Sequence, residues 1–418
     1  MRDRLATAAC VLAVGALGSA ADWPQWRGPE GNGVSRESGL PLRWSATENV
    51  AWALPLPGPS GSTPIVTGDR IFLNVAEGDA LFVWCVGRAK GDVLWKKPLG
   101  TGNVTLRKHN MSSPSPVTDG KSVFVLTGTG VLAAFDLAGT RRWERHLQEE
   151  YGQFGLNWGY ASSPLLDSDS LYVQVLHGMK TREPSYLLRV DAGTGKNRWR
   201  VERKTDAIRE SPDAYTTPLA VRVGGGLEIV VTGGDVVTGH DPATGRELWR
   251  ATGLNPGNDP YNRIVASAVA AKDVVFAPSR VRPLLALRAG GRGDVSTSAR
   301  LWSFDHGPDV PSPVTDGSLL YVVTDKGIVY ALDTATGKPV YGPERLKPGT
   351  YSASPVLADG RIYVTSEDGL TSVYKAGPVF DLLAENPLDD FTLSSLAVAD
   401  GMLYVRTAHK LWAIGGRR

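Results

Sequence analysis

The chain has 418 residues, 42% hydrophobic and 21% charged, with 48 glycines, 28 prolines and a formal net charge of +2. Near-neutrality without a dense run of Lys and Arg removes the electrostatic case for nucleic-acid binding. So many turn residues in a chain rich in Val, Tyr and Trp point instead to an all-β protein of short strands and tight loops.

At the N-terminus, Arg2 and Arg4 precede an apolar run over residues 5–17 and the small residues Gly18-Ser19-Ala20-Ala21. This is the pattern of a cleavable export leader over 1–21, with a mature chain starting near Asp22 and a periplasmic or secreted destination. The apolar stretch is short for a membrane span and nothing later is long enough to be one, so no transmembrane segment is expected. Cys10 lacks the preceding apolar residues of a lipoprotein box. Only Cys85 survives processing, which rules out an intramolecular disulfide, and its apolar neighbours mark it as a packing residue. Residues 22–49 read as an N-terminal extension and 50–418 as one domain.

That domain is repetitive. Val50-Ala51-Trp52-Ala53-Leu54 is a strand ending a unit whose first three strands are missing. The first full copy starts at Ser62-Thr63-Pro64, and the phrase returns at Ser113-Pro114-Ser115-Pro116, Ser163-Pro164, Thr217-Pro218, Ser267-Ala268, Ser312-Pro313, Ser354-Pro355 and Ser395-Leu396. The interval of roughly 40 to 56 residues is that of a four-stranded propeller blade. Asp-Gly pairs such as Asp119-Gly120 and Asp316-Gly317 supply the positive φ of a hairpin turn. Thr-Gly-Lys or Thr-Gly-Arg, ending at Lys196, Arg246 and Lys338, turns the third strand into the fourth. Each fourth strand then offers an aromatic ring to the next blade: Trp95, Trp143, Trp199, Trp249, Trp302 and Tyr341. The last copy, through Leu411-Trp412-Ala413-Ile414, stops before a fourth strand, which the strand at Val50 can supply to close the ring. The count is then about eight blades, with seven as the rival because the copies around Ser267 and Phe380 are degenerate.

Ser-Pro, Asp-Gly, Tyr-Val, Ala-Leu-Asp, Thr-Gly-Lys and Leu-Trp in that order resemble the pyrroloquinoline-quinone (PQQ)-like repeat, over nearly the whole mature chain. Trp23-Pro24-Gln25-Trp26-Arg27-Gly28-Pro29 is similar to the opening of secreted bacterial propellers of that kind. The resemblance implies an eight-bladed propeller related to quinoprotein dehydrogenases and to the outer-membrane assembly propeller subunit. It also implies that the residues before each Ser-Pro lie at the mouth of the central channel. The candidate ligand-binding residues there are His109, Asn110, Asn157, Trp158, Tyr160, Asp213, Tyr215, Tyr261, Asn262, Arg263, Asp309 and Tyr351. Amides, carboxylates, an arginine and stacking aromatics suit an anionic aromatic cofactor or a sugar.

A quinoprotein would add calcium and an adjacent cysteine pair. Asn157, Asp213, Asn262 and Asp309 could ligate calcium by type, but the cysteine pair is impossible and no ligand set can be assigned. His177, His240 and His306 lack metal-ligand spacing, and His240 reads as a satisfied strand histidine. Gly193-Thr194-Gly195-Lys196 reads as a hairpin turn rather than a phosphate loop, and Arg292-Gly293-Asp294 as an interblade loop. No hydrolase motif is present. The reading carried forward is therefore a non-catalytic exported propeller that binds a protein, peptide or glycan. A PQQ- and calcium-dependent alcohol or sugar dehydrogenase and a carbohydrate-binding propeller are the alternatives.

Overall fold

The structure, a computed structural model, describes residues 22–280 and 282–416; the leader read over 1–21 lies outside them. Eight sheets follow one another along the chain, each built on four antiparallel strands with its first strand innermost. Blades 1 to 7 span residues 65–100, 117–146, 165–202, 219–251, 269–304, 314–345 and 356–387. Blade 8 takes three strands from 397–414 and its fourth from Val50–Pro55, which pairs antiparallel with Lys410–Ile414. The blade count is thus eight, and both ends of the domain share a sheet, so no edge is left open at the seam. Among the described residues one helix of five residues, Leu147–Tyr151, interrupts the β structure.

Two repeated devices join the blades. On the inner side, each hydroxyl of the Ser/Thr-Pro position accepts the backbone N–H of its counterpart one blade earlier. The series runs Thr63 N to Ser115 Oγ at 2.9 Å, Ser115 to Ser163 at 2.9 Å, Ser163 to Thr217 at 3.3 Å and Thr217 to Ser267 at 2.9 Å. It continues from Ser267 to Ser312 at 2.9 Å, Ser312 to Ser354 at 2.9 Å and Ser354 to Ser395 at 3.0 Å, and returns from Ser395 to Thr63 at 3.2 Å. The result is a closed collar around the channel. It explains why the copies at Ser267-Ala268 and Ser395-Leu396 keep the serine while losing the proline.

On the outer side, Trp52, Trp95, Trp143, Trp199 and Trp302 each donate their indole N–H to a carbonyl of the following blade, at 2.9–3.0 Å. Their rings lie under Gly91, Gly139, Gly195, Gly245 and Gly337, all at positive φ, where a Cβ would fall within 2.8 Å of a side-chain atom. Glycine is needed there twice over, for the turn and for the close approach of the ring.

Trp249 departs from the expected interblade role. It is fully buried and donates to Glu228 Oε2 of its own blade at 2.7 Å. The physical reason is the next blade's loop, which lacks the Thr-Gly turn and folds back, laying Gly293–Asp294 as a short parallel strand against Trp249 and Arg250. The Arg292-Gly293-Asp294 tripeptide is therefore part of a sheet edge. Tyr341 packs on Phe380 with ring centroids 5.9 Å apart.

Residues 22–37 cross the channel at the end where the inner strands finish. Trp23 pairs with Val66 of blade 1, the Pro24 carbonyl accepts from Thr118 N, and Gln25 accepts from Leu166 N of blade 3. Arg27 donates to the carbonyls of Pro313 and Pro355, in the chain segments entering blades 6 and 7, and Val34 bridges Leu357. The segment so closes one end of the channel, with Trp26 facing inward. Cys85 is buried in blade 1 as expected, and burial pushes its thiol up to about 12.

Candidate functional site: the channel mouth

With one end closed, the channel is a blind cavity of about 510 Å³ that opens where the chain enters each inner strand. Its walls are the hydroxyls of the collar, its floor is Trp26, and its mouth is built by the loops before blades 2 to 8.

Of the twelve residues anticipated from sequence, His109, Trp158, Tyr215, Arg263 and Asp309 line the cavity. The others are turned elsewhere. Asn110 is buried and donates to Pro59 O at 2.8 Å while accepting from Ser112. Tyr160 and Tyr351 sit in the core, donating to Gln174 O and Lys347 O. Asn262 is buried against Asp235 and Ser279. Asp213 is fully buried, its carboxylate accepting the backbone N–H groups of Asn157, Gly178 and Met179 at 2.7, 2.9 and 3.1 Å. Asn157 and Tyr261 lie outside the lining, Tyr261 exposed on the rim. The lining also includes Lys108, beside His109 in the same segment, and Arg107, Glu210, Arg280, Asp325 and Ser352, which sequence reasoning did not single out.

Ion pairs and hydrogen bonds link the loops of the mouth. Trp158 donates its indole N–H to Glu210 Oε1 at 2.8 Å and its backbone N–H to the Tyr215 hydroxyl at 3.1 Å. The Arg263 guanidinium stands between Glu210 at 3.8 Å and Asp309 at 3.6 Å. Lys108 reaches from the loop entering blade 2 to Glu367 of blade 7, at 2.6 Å, and Glu367 also accepts from Ser352. Burial raises the Asp309 carboxyl above its usual range, with Arg263 opposing the shift. It also raises Asp213, to about 6, against the pull of its three backbone donors. The His109 imidazole is lowered by burial.

Calcium, and PQQ held through calcium, do not fit these residues. Of the four oxygen donors of suitable type, Asp213 is saturated by backbone N–H groups and Asn262 by its own neighbours. Only Asp309 faces the cavity, and the Arg263 guanidinium occupies the place beside it that a cation would need. Among the described residues no group of three or more His, Cys, Asp or Glu could hold a metal ion. His177 and His240 are likewise occupied, His240 between Gly245 O and Thr238 Oγ1.

Among the described residues no helix is long and apolar enough to cross a membrane. Comparison with solved structures places this propeller beside BamB from Moraxella catarrhalis, at 15% identity over 88% of this chain and 98% of that one, with a TM-score of 0.62. The quinohemoprotein alcohol dehydrogenase from Comamonas testosteroni matches at 12% identity over 95% and 81%, with a TM-score of 0.69. A europium-containing methanol dehydrogenase matches at 11% over 93% and 90%, also with a TM-score of 0.69. At such identities the likeness is one of fold. No curated protein matches the sequence. A family model described as outer membrane protein assembly factor BamB matches residues 34–174, 153–295 and 291–377. The chain is accordingly a PQQ-like β-propeller and belongs to that family.

Proposed function

We propose that this protein is an exported, non-catalytic binding scaffold of the bacterial cell envelope, holding a protein, peptide or glycan on the face that carries the channel mouth. The observation that supports it most is the pairing inside the mouth. Glu210 and Asp309 share the Arg263 guanidinium, and Lys108 meets Glu367. Paired charges beside Trp158 and Tyr215 form a polar, aromatic rim suited to recognition. Membership of a family described by an assembly factor agrees with that reading.

Site-specific photocrosslinkers placed at Lys108 and Tyr261 on the mouth face, and at Val93 and Leu382 on outer strands, test it in cells. Adducts are expected from the first pair; adducts from the outer strands alone, or none, overturn it. Turnover of an alcohol or sugar by the mature chain with PQQ, calcium and an artificial electron acceptor would also overturn it. Export predicts that protein recovered from the periplasm or medium begins at Ala21 or Asp22.

A further inference from the structure

The collar has a chemical property beyond holding blades together. Each of its eight hydroxyl oxygens accepts a backbone N–H from the neighbouring blade. Among the described residues none of these eight O–H groups has a protein acceptor. A hydroxyl carries one donor beside its acceptor lone pairs, so the collar is a ring of unspent donors, and six of its members line the blind cavity.

The charge behind the collar has the same sense. Arg27 is 2% exposed and Arg406 fully buried, and neither meets a carboxylate. Arg27 donates to the carbonyls of Pro313 and Pro355, each one residue beyond a collar serine. Arg406 donates to Asn74 O at 2.6 Å and approaches Ser62 O, the residue before Thr63, while its Nε and Nη2 have no partner. Burial lowers both guanidinium groups to about 9, which leaves them cationic at neutral pH. Of the carboxylates of the cavity, Glu210 and Asp309 belong to the mouth loops and Asp325 to a hairpin turn of blade 6. Two uncompensated cations in the low-dielectric wall behind the collar focus a positive potential into the channel.

From this geometry we infer that the collar is an anion-binding site, taking the carboxylate or phosphate group of a small molecule that enters through the mouth and comes to rest above Trp26. The inference rests on the mouth being the functional face. The ligand's charge would be met by convergent O–H donors, and charge-assisted bonds of that kind are stronger than neutral ones.

Calorimetry tests it on the mature chain, titrated with sodium phosphate and with sodium acetate at constant ionic strength, and with acetamide as the neutral counterpart. One saturable site per chain is expected for at least one anion and none for acetamide; which anion binds identifies the class. Arg27→Met and Ser354→Ala should each weaken binding about tenfold or more, and Ser354→Thr, which keeps a hydroxyl as Thr63 and Thr217 do, should restore it. If Arg27→Met does not fold, the Ser354 pair decides. The inference is overturned if the folded chain saturates with neither anion. It is equally overturned if binding survives Ser354→Ala and is lost in Arg263→Met, since the anion would then sit at the mouth. Crosslinks from Lys108 and Tyr261 without anion binding would remove this inference and leave the scaffold reading standing.

Discussion

Acid should weaken this propeller through one histidine whose buried surroundings disfavour a second proton. His240 ends the strand Val236–His240 in blade 4 and is 1% exposed. Its Nδ1 lies 3.0 Å from Gly245 O and its Nε2 2.9 Å from Thr238 Oγ1, which itself accepts from Arg203 Nε at 2.8 Å. Nδ1 must therefore donate and Nε2 accept. Protonation would turn Nε2 into a donor beside a buried guanidinium. Burial, with Arg203 adding to it and Glu247 opposing, lowers the imidazole from 6.5 to about 4. A depressed folded value means the stabilisation is complete above 6.5 and is lost as the pH falls towards 4. Between about pH 7 and about pH 5 that linkage amounts to about 2 kcal/mol. Urea unfolding of the wild type and of His240→Gln at both pH values isolates it, because the other titrating groups are common to the two proteins. The wild type should lose about 2 kcal/mol more than the variant across that interval. Equal losses would refute the argument that the neutral imidazole is required.

Three further perturbations address the joints between blades. Trp52→Ala removes the indole bond to Arg88 O and the ring over Gly91 at the seam; a loss of about 2–4 kcal/mol in the unfolding midpoint analysis is expected. Gly195→Ala places a Cβ 2.6 Å from the Trp143 ring at φ 72°, and should cost about 2 kcal/mol or more. Gly224→Ala, also at positive φ but in open space, should cost only about 1 kcal/mol, so equal effects in calorimetric melts would deny the ring's part. Ser312→Ala strips the acceptor from Ser267 N–H and should destabilise by about 1–2 kcal/mol, while Ser312→Thr should be close to neutral.

The repeat was legible because every blade meets its neighbours through the same few residue types. The collar serines and the Gly–Trp pairs can be seen in the sequence before any coordinates exist, and they carry the ring closure with them. The mouth was legible only to the level of which loops form it. At the entry to an inner strand successive side chains alternate between channel and core. Thus His109, Ala161, Arg263 and Ser352 face the cavity, while their neighbours Asn110, Tyr160, Asn262 and Tyr351 face the blade. Residue type does not reveal that phase, since a buried Tyr with one hydrogen bond and a ligand-facing Tyr look alike in a sequence. Glu210 and Arg280 went unseen because their loops depart from the repeat. The floor was hidden for another reason: Arg27 finds Pro355 328 residues away, and no periodicity points to such a contact.

The segment that floors the channel also sets an order of events. Residues 22–55 leave the ribosome before any blade, yet Val50–Pro55 cannot pair until Lys410–Ile414 exists, and Arg27 lacks its Pro313 and Pro355 acceptors until the segments entering blades 6 and 7 exist. Synthesis and assembly thus run in opposite senses at this end of the chain. Joining partners so distant carries the loop-closure cost of nearly the whole domain, so completion waits for the final strand. A chain read as bound for export would on this logic travel unfinished and become a propeller only on arrival.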